Sequence, residues 1–125
     1  MAAPSSSSSL LLYAAAALSA VSVAGHMQMG LDLVFPSLRK TNPTDPGLVA
    51  AKIGWMELNQ GFIWMSIMAV KWARHGLTSP FDKAFAAVFA IGNVAFGAWY
   101  ARVGFPVILV PLWGIPGLIG LSQLV

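Results

Sequence analysis

The chain contains no cysteine and few charged side chains, and both absences narrow what it can be. Without cysteine there are no disulfides, thiolate metal sites, haem-attachment motifs or cysteine nucleophiles. Charged residues make up only 9% of the 125 residues and hydrophobic residues 58%, whereas soluble domains carry about 25% charged residues. Since so few charges would leave large apolar patches exposed to water, the composition predicts an integral membrane protein.

Several classes of function lack their sequence signatures. The seven Lys and Arg residues are scattered rather than grouped in a tract, which argues against a nucleic-acid partner. There is no Walker loop, dinucleotide fingerprint, H-E-x-x-H motif or G-x-S-x-G motif. His75 has no second ligand at metal-binding spacing. We therefore predict no metal site and no cofactor.

Four apolar segments are long enough to cross a bilayer, and turn-forming residues separate them. The predicted spans are residues 10–34, 48–70, 81–101 and 106–125. Asp45-Pro46 and Ser79-Pro80 each place a capping residue before a proline, which is typical of a helix start. The predicted fold class is all-α: a single transmembrane domain, residues 1–125, built as an antiparallel bundle of four transmembrane helices. This multi-pass arrangement puts both termini on one side.

The N-terminal segment has two interpretations. Residues 1–9 are predicted to be an uncharged flexible leader, and Ser22-Val23-Ala24 resembles a signal-peptide cleavage site. Against cleavage, the leader has no Lys or Arg and the apolar run continues past Ala24 to Val34. A retained first span is the favoured interpretation. Cationic residues are balanced between the two ends of the bundle, so neither orientation nor organelle is predicted.

Three spans each carry a polar side chain that is costly in hydrocarbon. Depth is counted at about 1.5 Å of rise per residue from the membrane surface on which the first and third loops lie. By this count His26 lies about 10 Å, Asn93 about 12 Å and Glu57 about 13 Å deep. We therefore expect the three to share one interior layer, where they can satisfy one another. Glu57 and His26 are the predicted catalytic acid–base pair.

Other side chains are assigned around this pair. Gln60 and Asn93 are predicted to orient a bound molecule, and Trp64 and Trp113 to form apolar walls. The competing interpretation is structural, with the polar groups joining helices by hydrogen bonds. Nearer the membrane surface, Asp32 and Lys52 are predicted to form an ion pair, with separate snorkelling as the alternative for Lys52.

The end of the first span has a recognisable layout. It reads Gly25-His26-x-x-Met29-Gly30 and is followed by Pro36. With four compact spans, this layout resembles small integral membrane proteins of fungal secondary-metabolite pathways, a set that includes anthrone-oxygenase-like proteins and the larger membrane terpene cyclases. The resemblance assigns no catalytic residue. It implies membrane-confined chemistry on an apolar metabolite.

Three functional hypotheses follow. The leading one is a membrane protein that binds, and in its stronger form transforms, a hydrophobic small molecule in the bilayer. The second is a non-catalytic accessory or assembly subunit of a larger membrane complex, with the Gly/Pro-rich fourth span docking the partner. The third, a proton or ion pathway in a homo-oligomer, depends on Glu57 alone. The expected partners are membrane lipid, a hydrophobic small molecule, and either another membrane protein or a second copy of the chain.

Overall fold

The computed structural model describes residues 4–39 and 44–125, and every regular element in those ranges is helical. In chain order the elements are α1 (Ser6–Met29), a π-helical turn (Gly30–Val34), α2 (Phe35–Leu38), α3 (Pro46–His75), α4 (Pro80–Arg102), a 3₁₀ turn (Pro106–Ile108) and α5 (Leu109–Leu121). The predicted all-α fold class is confirmed.

Side-chain caps fix where three helices begin. The predicted caps are confirmed for α3, where Asp45 accepts from Leu48 N–H, and for α4, where Ser79 and Asp82 form a capping box. Ser5 caps α1 by accepting from Ser8 N–H. As a result α1 begins inside the predicted leader, of which residues 1–3 lie outside the described residues.

The first helix also continues further than predicted. The predicted first span ends at Val34, but the π turn carries the chain past Pro36 into α2 without a break. In the wider turn Phe35 N–H donates to Gly30 O, and Pro36 lies in the first turn of α2, a position at which proline is tolerated. Ser6–Leu38 is therefore one helical segment of 33 residues.

The helices pack in the spatial order α3, α1, α5, α4 rather than in a closed ring. Two serines join α1 to α3: Ser9 donates to Ala73 O at 2.9 Å and Ser66 donates to Ala16 O at 3.0 Å, which is an antiparallel register. α5 lies between α1 and α4.

The hydrophobic core forms mainly where α1, α3 and α5 meet. Its fully buried side chains include Leu12, Met65, Trp72 and Ile115. At the α3–α4 turn, the Trp72 and Phe85 rings meet edge to face at 6.2 Å. Along the rest of its length α4 forms one edge of the assembly and is largely exposed.

The two ends of the described chain meet at one end of the bundle. Ser5 Oγ donates to Val125 O at 3.2 Å. Two helical segments are long and apolar enough to cross a membrane, Ser6–Leu38 and Pro80–Arg102, and Pro106–Leu121 is a shorter apolar one. α3 is long, at 30 residues, but its charged and amide side chains keep it out of this group.

Candidate functional site

A half-buried histidine and a buried asparagine join α1 to α3. His26 Nδ1 lies 3.1 Å from Asn59 Oδ1, and Asn59 Nδ2 donates to Met27 Sδ at 3.1 Å. Because a thioether sulfur cannot donate, the amide nitrogen of Asn59 must face Met27 and its oxygen must face His26. His26 Nδ1 therefore carries the hydrogen and donates to Asn59. In the neutral ring, Nε2 is left with its lone pair.

Aromatic rings hold the imidazole in place. Trp55 stacks on His26 with 4.0 Å between ring centroids and 11° between planes, and Phe62 meets the same ring edge-on at 5.9 Å. Trp55 Nε1 also donates to the backbone oxygen of His26 at 3.3 Å. His26 Nε2 is buried and has no hydrogen-bond partner among the described residues.

A glycine allows this close approach of the two helices. A Cβ built on Gly30 would come 2.5 Å from Trp55 Nε1, too close for any other residue without movement of the indole. Gly97 plays the same part for Trp113, whose Nε1 donates to Val94 O at 3.3 Å. Each indole thus docks over a glycine and bonds to a carbonyl of the facing helix.

Helical periodicity explains why Asn59, and not Glu57 or Gln60, belongs to the pair. Trp55, Asn59 and Phe62 are four and three residues apart, so they lie on one face of α3, which packs against α1. Glu57 is two residues from Asn59, a rotation of about 200°, and points the opposite way. The spacing of Trp55, Asn59 and Phe62 in the sequence is the signal that would have identified the inward face of α3. Depth alone does not specify the direction of a side chain.

The predicted interior layer is wrong for Glu57. Its side chain is exposed on the outer face of α3 and contacts neither His26 nor Asn93 within the chain. Gln60 is exposed on the same face, and Trp64 is 61% exposed. The catalytic role of Glu57 and the binding roles of Gln60 and Trp64 remain predictions. In a single copy of the chain, however, none of these three adjoins His26.

Two further predicted binding residues lie apart from the pair. Asn93 is half-buried on α4, and its Nδ2 donates to Phe89 O of the same helix at 2.8 Å. Trp113 is 42% exposed and is engaged in the α4–α5 contact. Neither has a hydrogen bond or ring contact to His26 in the described part of the chain.

The predicted ion pair between Asp32 and Lys52 is not formed. Asp32 is exposed and accepts from Gln28 Nε2 at 2.7 Å, while Lys52 is half-buried. Asp32 falls in the π turn, whose extra residue changes the rotation of the side chains around it. Within the described ranges, the only ion pair joins Lys71 to Asp82 at the α3–α4 turn.

An apolar groove lies beside the pair. Its volume is about 320 Å³ and it is lined by Met29, Leu33, Val34, Ser37, Leu38, Trp55, Tyr100 and Phe105. The groove is open to its surroundings rather than enclosed, and its volume is at the lower end of the range for small-molecule sites, about 300–1,000 Å³. Trp55 is the link between the two features, since it lines the groove and also stacks on His26.

The described residues contain no group of three or more His, Cys, Asp or Glu side chains that could hold a metal ion. Comparison of the chain with protein-family models, with curated proteins and with solved structures found no match.

Proposed function

We propose that the protein is a multi-pass membrane protein that binds a hydrophobic small molecule in the groove between the end of α1, α2, Trp55 and Tyr100. The observation that carries this proposal is the position of Trp55. One indole both lines the groove and is fixed by a stack and a hydrogen bond to His26. A ligand would therefore meet a wall that is already held in position, which lowers the entropic cost of binding.

The exposed surface supports placement in a bilayer. Large apolar side chains face outward along α4, among them Phe81 at 85%, Val88 at 74% and Trp99 at 70% exposed. In water such a surface would be an aggregation liability, whereas in lipid it is the expected exterior. Ser6–Leu38 and Pro80–Arg102 would be two spans, and α3 and the 106–121 segment would complete four.

Binding, rather than catalysis, is the part that the geometry supports. His26 Nε2 is enclosed and has no polar partner, and Glu57 lies on the far face of α3. Transformation of the ligand by these two residues thus remains a separate prediction. The resemblance in layout to fungal secondary-metabolite membrane proteins favours an apolar metabolite as the ligand.

The accessory-subunit alternative is favoured by one observation. The outer face of α3, with Glu57 and Gln60, is left uncovered by the chain itself. Purification in mild detergent distinguishes the two proposals. A stable assembly of this chain alone supports ligand binding, and obligate recovery with a larger subunit supports the accessory role.

The ligand proposal is tested by photolabelling in vesicles. Purified protein in phosphatidylcholine vesicles is irradiated with a diazirine-bearing fatty alcohol, and labelled peptides are mapped by mass spectrometry. We expect saturable labelling of the groove, centred on Met29 and Phe105. Leu33→Trp should fill the groove and abolish the labelling, whereas Val88→Trp, on the exposed face of α4, should leave it unchanged.

Uniform, unsaturable labelling of all lipid-facing helices in the wild type would overturn the proposal, because the groove would then be no more than ordinary protein surface. Equal loss of labelling in Leu33→Trp and Val88→Trp would do the same.

A further inference from the structure

The outer face of α3 carries polar side chains with no partner in the chain. Glu57 and Gln60 are both exposed, and neither side chain has a hydrogen bond to the described residues. Ile53 and Trp64, at 52% and 61% exposed, flank them on the same face. An acid and an amide therefore stand in the middle of an otherwise apolar stripe.

Their depth prevents escape to water if α3 spans the bilayer, as the proposed function requires. At 1.5 Å per residue, Glu57 lies about 17 Å from the Pro46 end of α3 and about 27 Å from the His75 end. Since α3 is about 44 Å long and the hydrocarbon core about 30 Å thick, Glu57 lies about 10 Å inside a core centred on the helix, which is deeper than a glutamate side chain reaches. Polar groups at this depth normally face a partner, because each costs several kcal/mol in contact with hydrocarbon.

The described helices of the same chain do not supply that partner. α1 packs on the opposite face of α3, and Asn59 already occupies the polar position there. α4 packs mainly on α5 and meets α3 near their common turn, through Trp72 and Lys71. The stripe around Glu57 thus faces outward from the protomer.

We infer that a second copy of the chain covers this face, with Glu57 of each protomer hydrogen-bonded to Gln60 of its partner. Glu57 and Gln60 are three residues apart, so they lie one turn apart on one face. A carboxyl oxygen accepts the hydrogen bond that an amide N–H donates, so Glu57 and Gln60 are complementary. Two-fold symmetry about the membrane normal keeps equivalent residues at equal depth, so each Glu57 reaches the partner's Gln60 diagonally, across about 4.5 Å along the helix axis, and the pair forms twice.

Two glycines permit the close approach that these bonds need. Gly54 and Gly61 lie three residues before and four residues after Glu57, on the same face. A Cβ at Gly54 would meet nothing within 4 Å, and one at Gly61 only Leu58 Cδ1 at 4.0 Å. Small residues at such positions allow transmembrane helices to pack backbone to backbone.

The test is energy transfer between copies in phosphatidylcholine vesicles at low protein-to-lipid ratio. Because the chain has no cysteine, one cysteine appended at the C-terminus labels donor and acceptor pools uniformly. We expect energy transfer in the wild type and a loss of apparent dimer affinity of about tenfold or more in the double variant Glu57→Leu/Gln60→Leu. Glu57→Gln should still dimerise, since amide–amide pairing replaces acid–amide pairing.

A steric variant provides the matched control. Gly61→Leu fits within the protomer but blocks the approach of a second copy, so it should abolish energy transfer. Gly25→Leu makes the same change at an open position on α1 and should leave energy transfer at the wild-type level. Native circular dichroism of all variants verifies that the fold is retained.

Vesicle flotation distinguishes failure of the dimer proposal from failure of the membrane placement. Protein that floats with the vesicles but shows no energy transfer in the wild type overturns the dimer and leaves the membrane assignment intact. Energy transfer that persists in both Gly61→Leu and Glu57→Leu/Gln60→Leu overturns the assignment of this face. Protein that does not float overturns the membrane placement itself, and with it the dimer.

Discussion

The two faces of α3 carry similar polar groups in opposite situations. On the inner face, Asn59 is 8% exposed and hydrogen-bonded on both sides, to His26 and to Met27. On the outer face, Glu57 and Gln60 are exposed and unpaired. The difference shows that the inner polar group joins helices of one chain. The outer ones have no hydrogen-bond partner among the described residues.

The largest loss of stability is expected from a side chain placed at Gly30, where Trp55 of the inner face of α3 packs. Gly30→Leu places side-chain atoms where Trp55 lies, so we expect a loss of about 3 kcal/mol in the free energy of unfolding, the upper end for overpacking. The measurement is reversible unfolding by SDS in mixed micelles. Gly25→Leu is the control: its site is open, and replacing a helical glycine should leave stability unchanged or raise it by about 0.5–1 kcal/mol. Equal stability of the two variants would show that the Trp55 contact is not maintained.

Some of this architecture is predictable from sequence because it depends on local chemistry. The Asp45 and Ser79 caps and the prolines that follow them fix the starts of α3 and α4 regardless of the rest of the chain. Which side chains form the site depends on the direction in which each one points from the helix axis. Depth in the membrane does not give that direction. Counting residues puts Glu57 and Asn59 only about 3 Å apart in depth, yet they point in nearly opposite directions.

The π turn was unpredictable for a different reason. Proline at position 36 is compatible with either a helix end or a wider turn that leads into a new helix. Packing around Gly30 and Trp55 decides between them, and it depends on residues far apart in sequence. The exposure of Asp32 follows from that choice.

The next largest loss of stability is expected when the amide of Asn59 is removed, and removal of the neighbouring amide of Gln60 is the comparison. Asn59→Leu leaves the Nδ1 hydrogen of half-buried His26 without its acceptor, so we expect a loss of about 1–3 kcal/mol in the free energy of unfolding. Gln60→Leu removes an exposed amide and should change stability by no more than about 0.5 kcal/mol when the micelle-to-protein ratio is high enough to keep the chains apart. SDS titration of both variants measures the difference. Similar losses would mean that the faces of α3 are not as distinct as the structure shows.

The smallest effect is expected for Glu57→Gln. The substitution keeps the shape of an exposed side chain, so the free energy of unfolding of the monomer should stay within about 0.5 kcal/mol of wild type. The same titration serves as the measurement. A destabilisation above about 1 kcal/mol would place Glu57 in contacts within its own chain and would restore the predicted interior layer.

The most direct test of the account is a double-mutant cycle on the partner of His26. His26→Phe is combined in turn with Asn59→Leu and with Glu57→Leu, and the free energy of unfolding is measured for each single and double variant. The account predicts a coupling energy of about 1 kcal/mol between His26 and Asn59 and none, within error, between His26 and Glu57. Coupling of His26 to Glu57 with none to Asn59 would contradict it.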